Sequence, residues 1–139
     1  MKRLVFAVIL LSATAFAQGG RPAPPKPSIG KLKATACPSP TPGAPHVCLS
    51  WTASTSTGVA GYNVYRSTTS GGESYATPLN ATVDTGTSYY DATTAIGSTY
   101  FYTVTAVGTG GVLSVPSGEV SAQIPVPPNP PSAPSASID

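Results

Sequence analysis

Apolar and polar residues alternate with a period of two in three stretches of this chain. The clearest is Tyr100-Phe101-Tyr102-Thr103-Val104-Thr105-Ala106-Val107, where Tyr100, Tyr102, Val104 and Ala106 fall on one side. Gly97 precedes it and a glycine-rich turn follows it. Val47-Cys48-Leu49-Ser50-Trp51 and Tyr62-Asn63-Val64-Tyr65 repeat the pattern. Period-two alternation over short segments is the mark of strands with one buried face. The pattern predicts seven strands: Leu32 to Ala36, His46 to Thr52, Gly61 to Ser67, Tyr75 to Leu79, Ser88 to Asp91, Thr99 to Val107 and Gly118 to Ile124. Pro78 confines the fourth to a sheet edge. Ser70-Gly71-Gly72, Asp84-Thr85-Gly86 and Gly108-Thr109-Gly110-Gly111 carry turn chemistry. No long helical period and no internal repeat appear. Seven short strands in about 100 residues point to an all-β, two-sheet antiparallel sandwich, immunoglobulin-like in architecture.

The ends of the 139-residue chain have a different character. Lys2-Arg3, the apolar run Leu4 to Leu11 and Ala15-Phe16-Ala17 describe a secretory signal peptide over residues 1–17. The strict apolar run is too short for a spanning helix. Residues 18–28 form a Pro-rich leader and residues 125–139 a Pro-rich tail, both expected to stay extended and without a packed core. The folded unit is expected over residues 29–124. Losing Lys2 and Arg3 from seven basic and five acidic residues leaves a formally neutral chain. Arg21, Lys26, Lys31 and Lys33 are too sparse for a nucleic-acid footprint. They read instead as charges that discourage edge-to-edge sheet association.

Cys37 and Cys48 are the two cysteines. If Val47, Leu49 and Trp51 point inward, and Leu32, Ala34 and Ala36 do too, both sulfurs emerge on one outer face of adjacent strands. In a secreted chain they should join as a disulfide. Closing so short a loop contributes on the order of 3 kcal/mol in the chain-entropy model. Two cysteines and the lone His46 do not make a four-ligand metal set.

The residues, taken in order, resemble a fibronectin type III domain. Leu49-Ser50-Trp51 is similar to the family's second-strand signature with its core tryptophan, and Gly61-Tyr62-Asn63-Val64-Tyr65-Arg66 to its third strand. Tyr89 and Asp91 resemble the approach to the corner before the sixth strand. Gly97 to Val107 resembles the most diagnostic segment, and Gly111-x-x-Ser114-x-Pro116-Ser117 the last loop. The likeness spans nearly all of residues 29–124. It implies a seven-strand sandwich with Trp51, Tyr62 and Tyr100 in the core, and with the Tyr100 hydroxyl bonded back to upstream backbone. It also implies loops Ser54 to Gly58, Asp84 to Gly86 and Gly108 to Ser117 at one end. Where the family has an aliphatic residue six positions before the corner tyrosine, this chain has Thr94, and Ile96 is expected to take the packing role. The cysteine pair is a second departure.

Chemistry is sparse. His46 sits on a strand without an adjoining nucleophile, and the acids past the signal peptide are Glu73, Asp84, Asp91, Glu119 and Asp139. The turn acids Asp84 and Asp91 are expected to cap backbone. No catalytic set, metal site or cofactor motif is assigned, and no Arg-Gly-Asp triplet occurs. Asn80-Ala81-Thr82 is a formal glycosylation sequon. Ser54, Asp84, Val112 and Leu113 are the candidate binding residues. Val112 and Leu113 are apolar in a glycine-rich loop. They either meet a partner or fold back on the sandwich edge. The reading is a secreted, non-enzymatic binding or display module, a monomeric domain at the cell surface, in the periplasm or outside the cell, that meets a protein or glycan. A spacer in an extracellular assembly is the alternative, and a small hydrolase or enzyme inhibitor a second one.

Signal cleavage is expected after Ala17. The exported protein should have the mass of a chain that begins at Gln18. A mass that includes Met1 contradicts the secretion reading.

Overall fold

The computed structural model describes residues 29–37 and 44–131. The signal-peptide expectation and the leader lie outside them, as do residues 132–139 of the tail. Six strands form among the described residues: β1 (Leu32–Cys37), β2 (His46–Trp51), β3 (Val59–Ser67), β4 (Ser88–Asp91), β5 (Thr99–Gly108) and β6 (Val120–Gln123). They make two three-stranded antiparallel sheets, β1-β2-β4 and β3-β5-β6. The alternation in the sequence is the reason. Val47, Leu49 and Trp51 from one sheet meet Tyr62, Val64, Tyr102, Val104 and Ala106 from the other, all buried in one cluster. In β1 only Leu32 is fully buried; Ala34 is half-buried and Ala36 is exposed.

The disulfide joins Cys37 to Cys48, with α-carbons 5.7 Å apart. Cys37 lies opposite His46 and Cys48 opposite Thr35, so the link runs diagonally across two ladder positions. An even offset keeps both sulfurs on one face.

The expected strand Tyr75 to Leu79 does not form, which leaves six strands where seven were expected. Pro78 has no N–H to give a ladder. Side chain and isolated backbone contacts serve the free edge of β3 instead. Leu79 N–H donates to the Val64 carbonyl at 2.7 Å. The Asn80 carboxamide then acts as a detached peptide unit. Its Oδ1 accepts the Val64 N–H at 2.8 Å, and its Nδ2 donates to the carbonyls of Tyr62 (2.9 Å) and Thr82 (2.8 Å). Asp84 and Tyr62 exchange backbone bonds of 2.7 and 3.0 Å. Gly61 permits that approach, because a β-carbon there would stand 2.5 Å from the Asp84 carbonyl oxygen. Two serines do the same work along β5. Ser117 N–H donates to the Val104 carbonyl while the Val104 N–H donates to Ser117 Oγ at 3.0 Å, and Ser114 repeats the exchange with Ala106.

The two sheets are also joined by a buried charge. Asp91, at the end of β4, is only 2% exposed. Its Oδ2 takes the Arg66 guanidinium from β3 at 2.7 Å and the Tyr102 hydroxyl from β5 at 2.9 Å. Its Oδ1 takes the Thr93 amide (2.9 Å) and hydroxyl (2.7 Å). Burial opposes this charge, but the Thr93 hydroxyl and amide, Tyr102 and Arg66 together hold the carboxyl below the ordinary aspartate range. Burial and the neighbouring Asp91 push the Tyr102 phenol far up. Arg66 also lies 4.8 Å over the Tyr100 ring, and the Tyr100 hydroxyl accepts the Ala95 N–H at 3.0 Å.

That turn corrects the expectation for Ile96, which is 42% exposed and takes no packing role. Thr94 turns its hydroxyl to the Pro45 carbonyl at 2.8 Å. Tyr100 fixes Ala95, and Gly97 donates to the carbonyl of buried Ile124 at 3.0 Å, so the turn leaves Ile96 outside.

These bonds set measurable outcomes. Asp91 has a depressed native pKa, so its stabilisation is present above the unfolded aspartate value and is lost as pH falls through the native one. Asp91→Asn should flatten that acid limb in thermal melts, and Asp91→Ala should cost about 3–5 kcal/mol, as breaking a buried pair does. Asn80→Ala leaves buried Val64 and Tyr62 backbone groups unpaired and should cost roughly 1–3 kcal/mol by denaturant titration. Folded protein from a glycosylating host should carry no glycan at Asn80, because Nδ2 is committed inside the fold; intact mass checks this.

Candidate functional site

Antiparallel connection brings four strand ends to one pole: the close of β2, the start of β3, the start of β4 and the close of β5. The three loop segments read as candidates from the sequence meet there. Trp51 N–H donates to the Thr87 carbonyl at 3.0 Å, which fixes the segment 84–87 beside the end of β2. The Trp51 and Tyr62 rings meet edge to face at 5.4 Å. The Tyr62 hydroxyl then reaches past the core and accepts the Ser54 N–H at 2.9 Å. Ser54 Oγ in turn accepts the Ser56 N–H at 3.2 Å. A core aromatic thus holds the first loop by its polar tip.

The third loop is tied to the first. Thr109 N–H donates to the Gly58 carbonyl at 2.7 Å, and the Gly108 N–H to the Val112 carbonyl at 2.8 Å. Gly110 and Gly111, at φ of 97° and 80°, make the reversal that other residues resist. The two apolar loop residues part company here. Leu113 bridges back to Val107 and is half-buried. Val112 is 55% exposed at the tip, and Val115 is exposed beyond it. Leu113 thus folds back on the sandwich edge, while Val112 stays in solvent. Asp84 is half-buried, with Oδ1 accepting the Gly86 N–H at 2.8 Å, a capping contact. It is the single charged side chain in segments 54–58, 84–86 and 108–117. The pole is therefore rich in hydroxyls and backbone, with one acid and an apolar tip.

Beside the pole, the open side between β3 and β4 holds a shallow cleft of about 430 Å³, lined by Leu79 to Thr85 and by Tyr89. Val83 is exposed near it. His46 is not in this cleft. It begins β2, at the far end, with its ring centroid 4.5 Å from that of Tyr90 on the outer face. Asp91 points inward, so the lone histidine and the most buried acid lie on opposite faces of one sheet. Among the described residues, no three His, Cys, Asp or Glu side chains gather, and no helix is long and apolar enough to cross a membrane.

Sequence reasoning missed the side chains that shape these loops. Asn80 was visible only as a sequon, and Ser114 and Ser117 only as part of a loop signature. Their ladder roles follow from the break in regular pairing beside Pro78 and Pro116. That signal was present, because an edge without a strand must find other partners for its N–H and C=O groups.

No protein-family model and no curated protein matches the chain. Solved structures do. A Fn3-like protein from Clostridium thermocellum is 36% identical, with a TM-score of 0.56, over 77% of this chain and 99% of that one. A fourth FNIII domain of a human protein aligns over 88% of this chain and 98% of its own, with a TM-score of 0.58 and 17% identity. A β-1,2-glucanase from Parabacteroides distasonis matches 78% of this chain at 23% identity and a TM-score of 0.52, over 13% of the enzyme's length. The last two speak for the fold alone.

Proposed function

This chain belongs to the fibronectin type III family, and from that we propose that it is a secreted, non-enzymatic module that binds a protein or glycan through the loop pole. The observation that carries the reading is the pole itself: the first and third loops are tied to each other, the first and second are each tied to core Tyr62, and Val112 is held out at the tip. Pre-ordered loops bind without the entropy cost of ordering a flexible segment. Exposed Val112 and Val115 among serines, threonines and glycines suit a mixed surface contact better than a deep pocket. The disulfide agrees with life in an oxidising compartment. The glucanase match is a member of the same fold within a much longer glycan-active enzyme. It makes glycans the first ligand class to try, with proteins of the same surroundings second. The Pro-rich ends would then serve reach, at about 3 Å per residue when extended.

The test is a glycan array and an affinity capture from the native extracellular fraction, each run with the mature protein and with Val112→Asp. The module reading expects a specific partner that the variant loses, with its melting temperature unchanged. No partner in either screen, together with self-association at micromolar concentration by size exclusion, would move the protein to the spacer reading.

A further inference from the structure

The two sheets differ in their outer faces. On β3-β5-β6 the outward residues Tyr65, Thr103 and Thr105 are buried, and Tyr75 packs on Tyr65 with centroids 4.9 Å apart. On β1-β2-β4 the outward residues lie open. Lys33 stands opposite Ser50 and Thr35 opposite Cys48, while Ser88 stands opposite Ser50 and Tyr90 opposite Cys48. Two rows therefore cross this face, Lys33-Ser50-Ser88 and Thr35-Cys48-Tyr90. All but the half-buried Cys48 are exposed. Lys31 is exposed too and continues the phase of Lys33, with its carbonyl accepting the Thr52 N–H at 3.2 Å.

The charge on this face has one sign. The single acid in β1, β2 and β4 is Asp91, which is buried and points inward. Lys31 and Lys33 have no carboxylate partner among the described residues, where the ion pair is Arg66–Asp91. The face also carries one exposed aromatic ring. Tyr90 is 44% exposed, and the His46 ring lies against it at 4.5 Å. The Cys37–Cys48 disulfide ties β1 to β2 here, so the rows are ordered before any ligand arrives. The other exposed large apolar residues, among them Val83, Ile96, Val112 and Val115, lie outside these three strands. A protein partner would look for an apolar centre to such a face. A polyhydroxylated anion needs only a ring, hydroxyls and cations.

We propose that the outer face of the β1-β2-β4 sheet binds a uronate-bearing polysaccharide, laid across the strands from Tyr90 to Lys33. This surface is separate from the loop pole. The C–H face of one pyranose packs on the Tyr90 ring, whose π face is negative. Thr35, Ser50 and Ser88 exchange hydrogen bonds with the sugar hydroxyls. Lys31 and Lys33, about 7 Å apart on an extended chain, meet the carboxylates with charge-assisted bonds. Two lysines among hydroxyls match a chain with one carboxylate per sugar. A densely sulfated chain calls for closer cations and for arginine forks. From β4 to β1 the path crosses two interstrand gaps, roughly 10 Å in all, which a short oligosaccharide spans.

The test is a nuclear magnetic resonance titration of the full mature chain with oligoalginate, with a neutral cello-oligosaccharide of equal length and with a heparin oligosaccharide. Oligoalginate should shift the amides of Thr35, Cys48, Ser50 and Tyr90 and saturate by millimolar concentration, and the neutral chain should not. Added salt should weaken the binding. Lys31→Ser with Lys33→Ser should weaken it about tenfold and remove most of that salt dependence. Tyr90→Ala should also weaken it about tenfold. Both variants should melt within a few degrees of the wild type, as surface changes do. Shifts confined to segments 54–58 and 108–117, no shifts at all, unchanged binding in the lysine variant, or heparin bound as tightly as oligoalginate overturns the proposal. Shifts of the same amides on dilution of the protein alone also overturn it, and assign the face to a second copy of the chain.

Discussion

The buried carboxylate of Asp91 is the interaction on which the arrangement of this sandwich depends. Apolar packing between two sheets is non-directional and would tolerate small slips of one sheet over the other. A carboxylate enclosed between them does not tolerate them. It is costly to bury, and it is stable only while Arg66 from β3, Tyr102 from β5 and the Thr93 turn all reach it. These bonds fix the end of β4 against the opposite sheet. Arg66, so positioned, lies on the Tyr100 ring, and Tyr100 holds the turn before β5. At the other pole, Trp51 and Tyr62 pack on each other and extend order into the Ser54 loop. One end of the domain is thus fixed by charge and the other by aromatic packing, and the loops inherit their order from the second.

A sandwich with only six regular strands has edges to close, and here side chains close them. Asn80 along β3 and Ser114 and Ser117 along β5 each present a polar group where a neighbouring strand would present a peptide. The arrangement has two consequences. It lets prolines occupy positions next to the sheet without orphaning backbone groups. It also leaves the residues before Leu79 off the edge, so that Tyr75 can pack on Tyr65 across the sheet face.

Much of this architecture was legible in the sequence. The alternation in 47–51, 62–65 and 100–107 located β2, β3 and β5, because a half-buried strand imposes period two on its side chains. The shared phase of Cys37 and Cys48 foretold their link. The segment Tyr75 to Leu79 was misread because aromatic and aliphatic residues can cover a sheet face as well as extend a sheet, and local pattern does not separate these. Ile96 was misread for a related reason: a turn's apolar residue faces in or out according to bonds made by Tyr100 and Gly97, which are set from a distance. The candidate loops were placed by resemblance, but the division of labour between Val112 and Leu113 came from the Val107 bridge, a tertiary contact without a local signature.

The most direct measurement is a double-mutant cycle on the hub, with Asp91→Asn, Tyr102→Phe and the pair, by denaturant unfolding. If Asp91 is the point at which the two sheets are registered, the two changes share one bond and their effects should fall short of additivity by about 1 kcal/mol or more. Effects that add within about 0.5 kcal/mol would contradict the account and return the sheet arrangement to apolar packing alone.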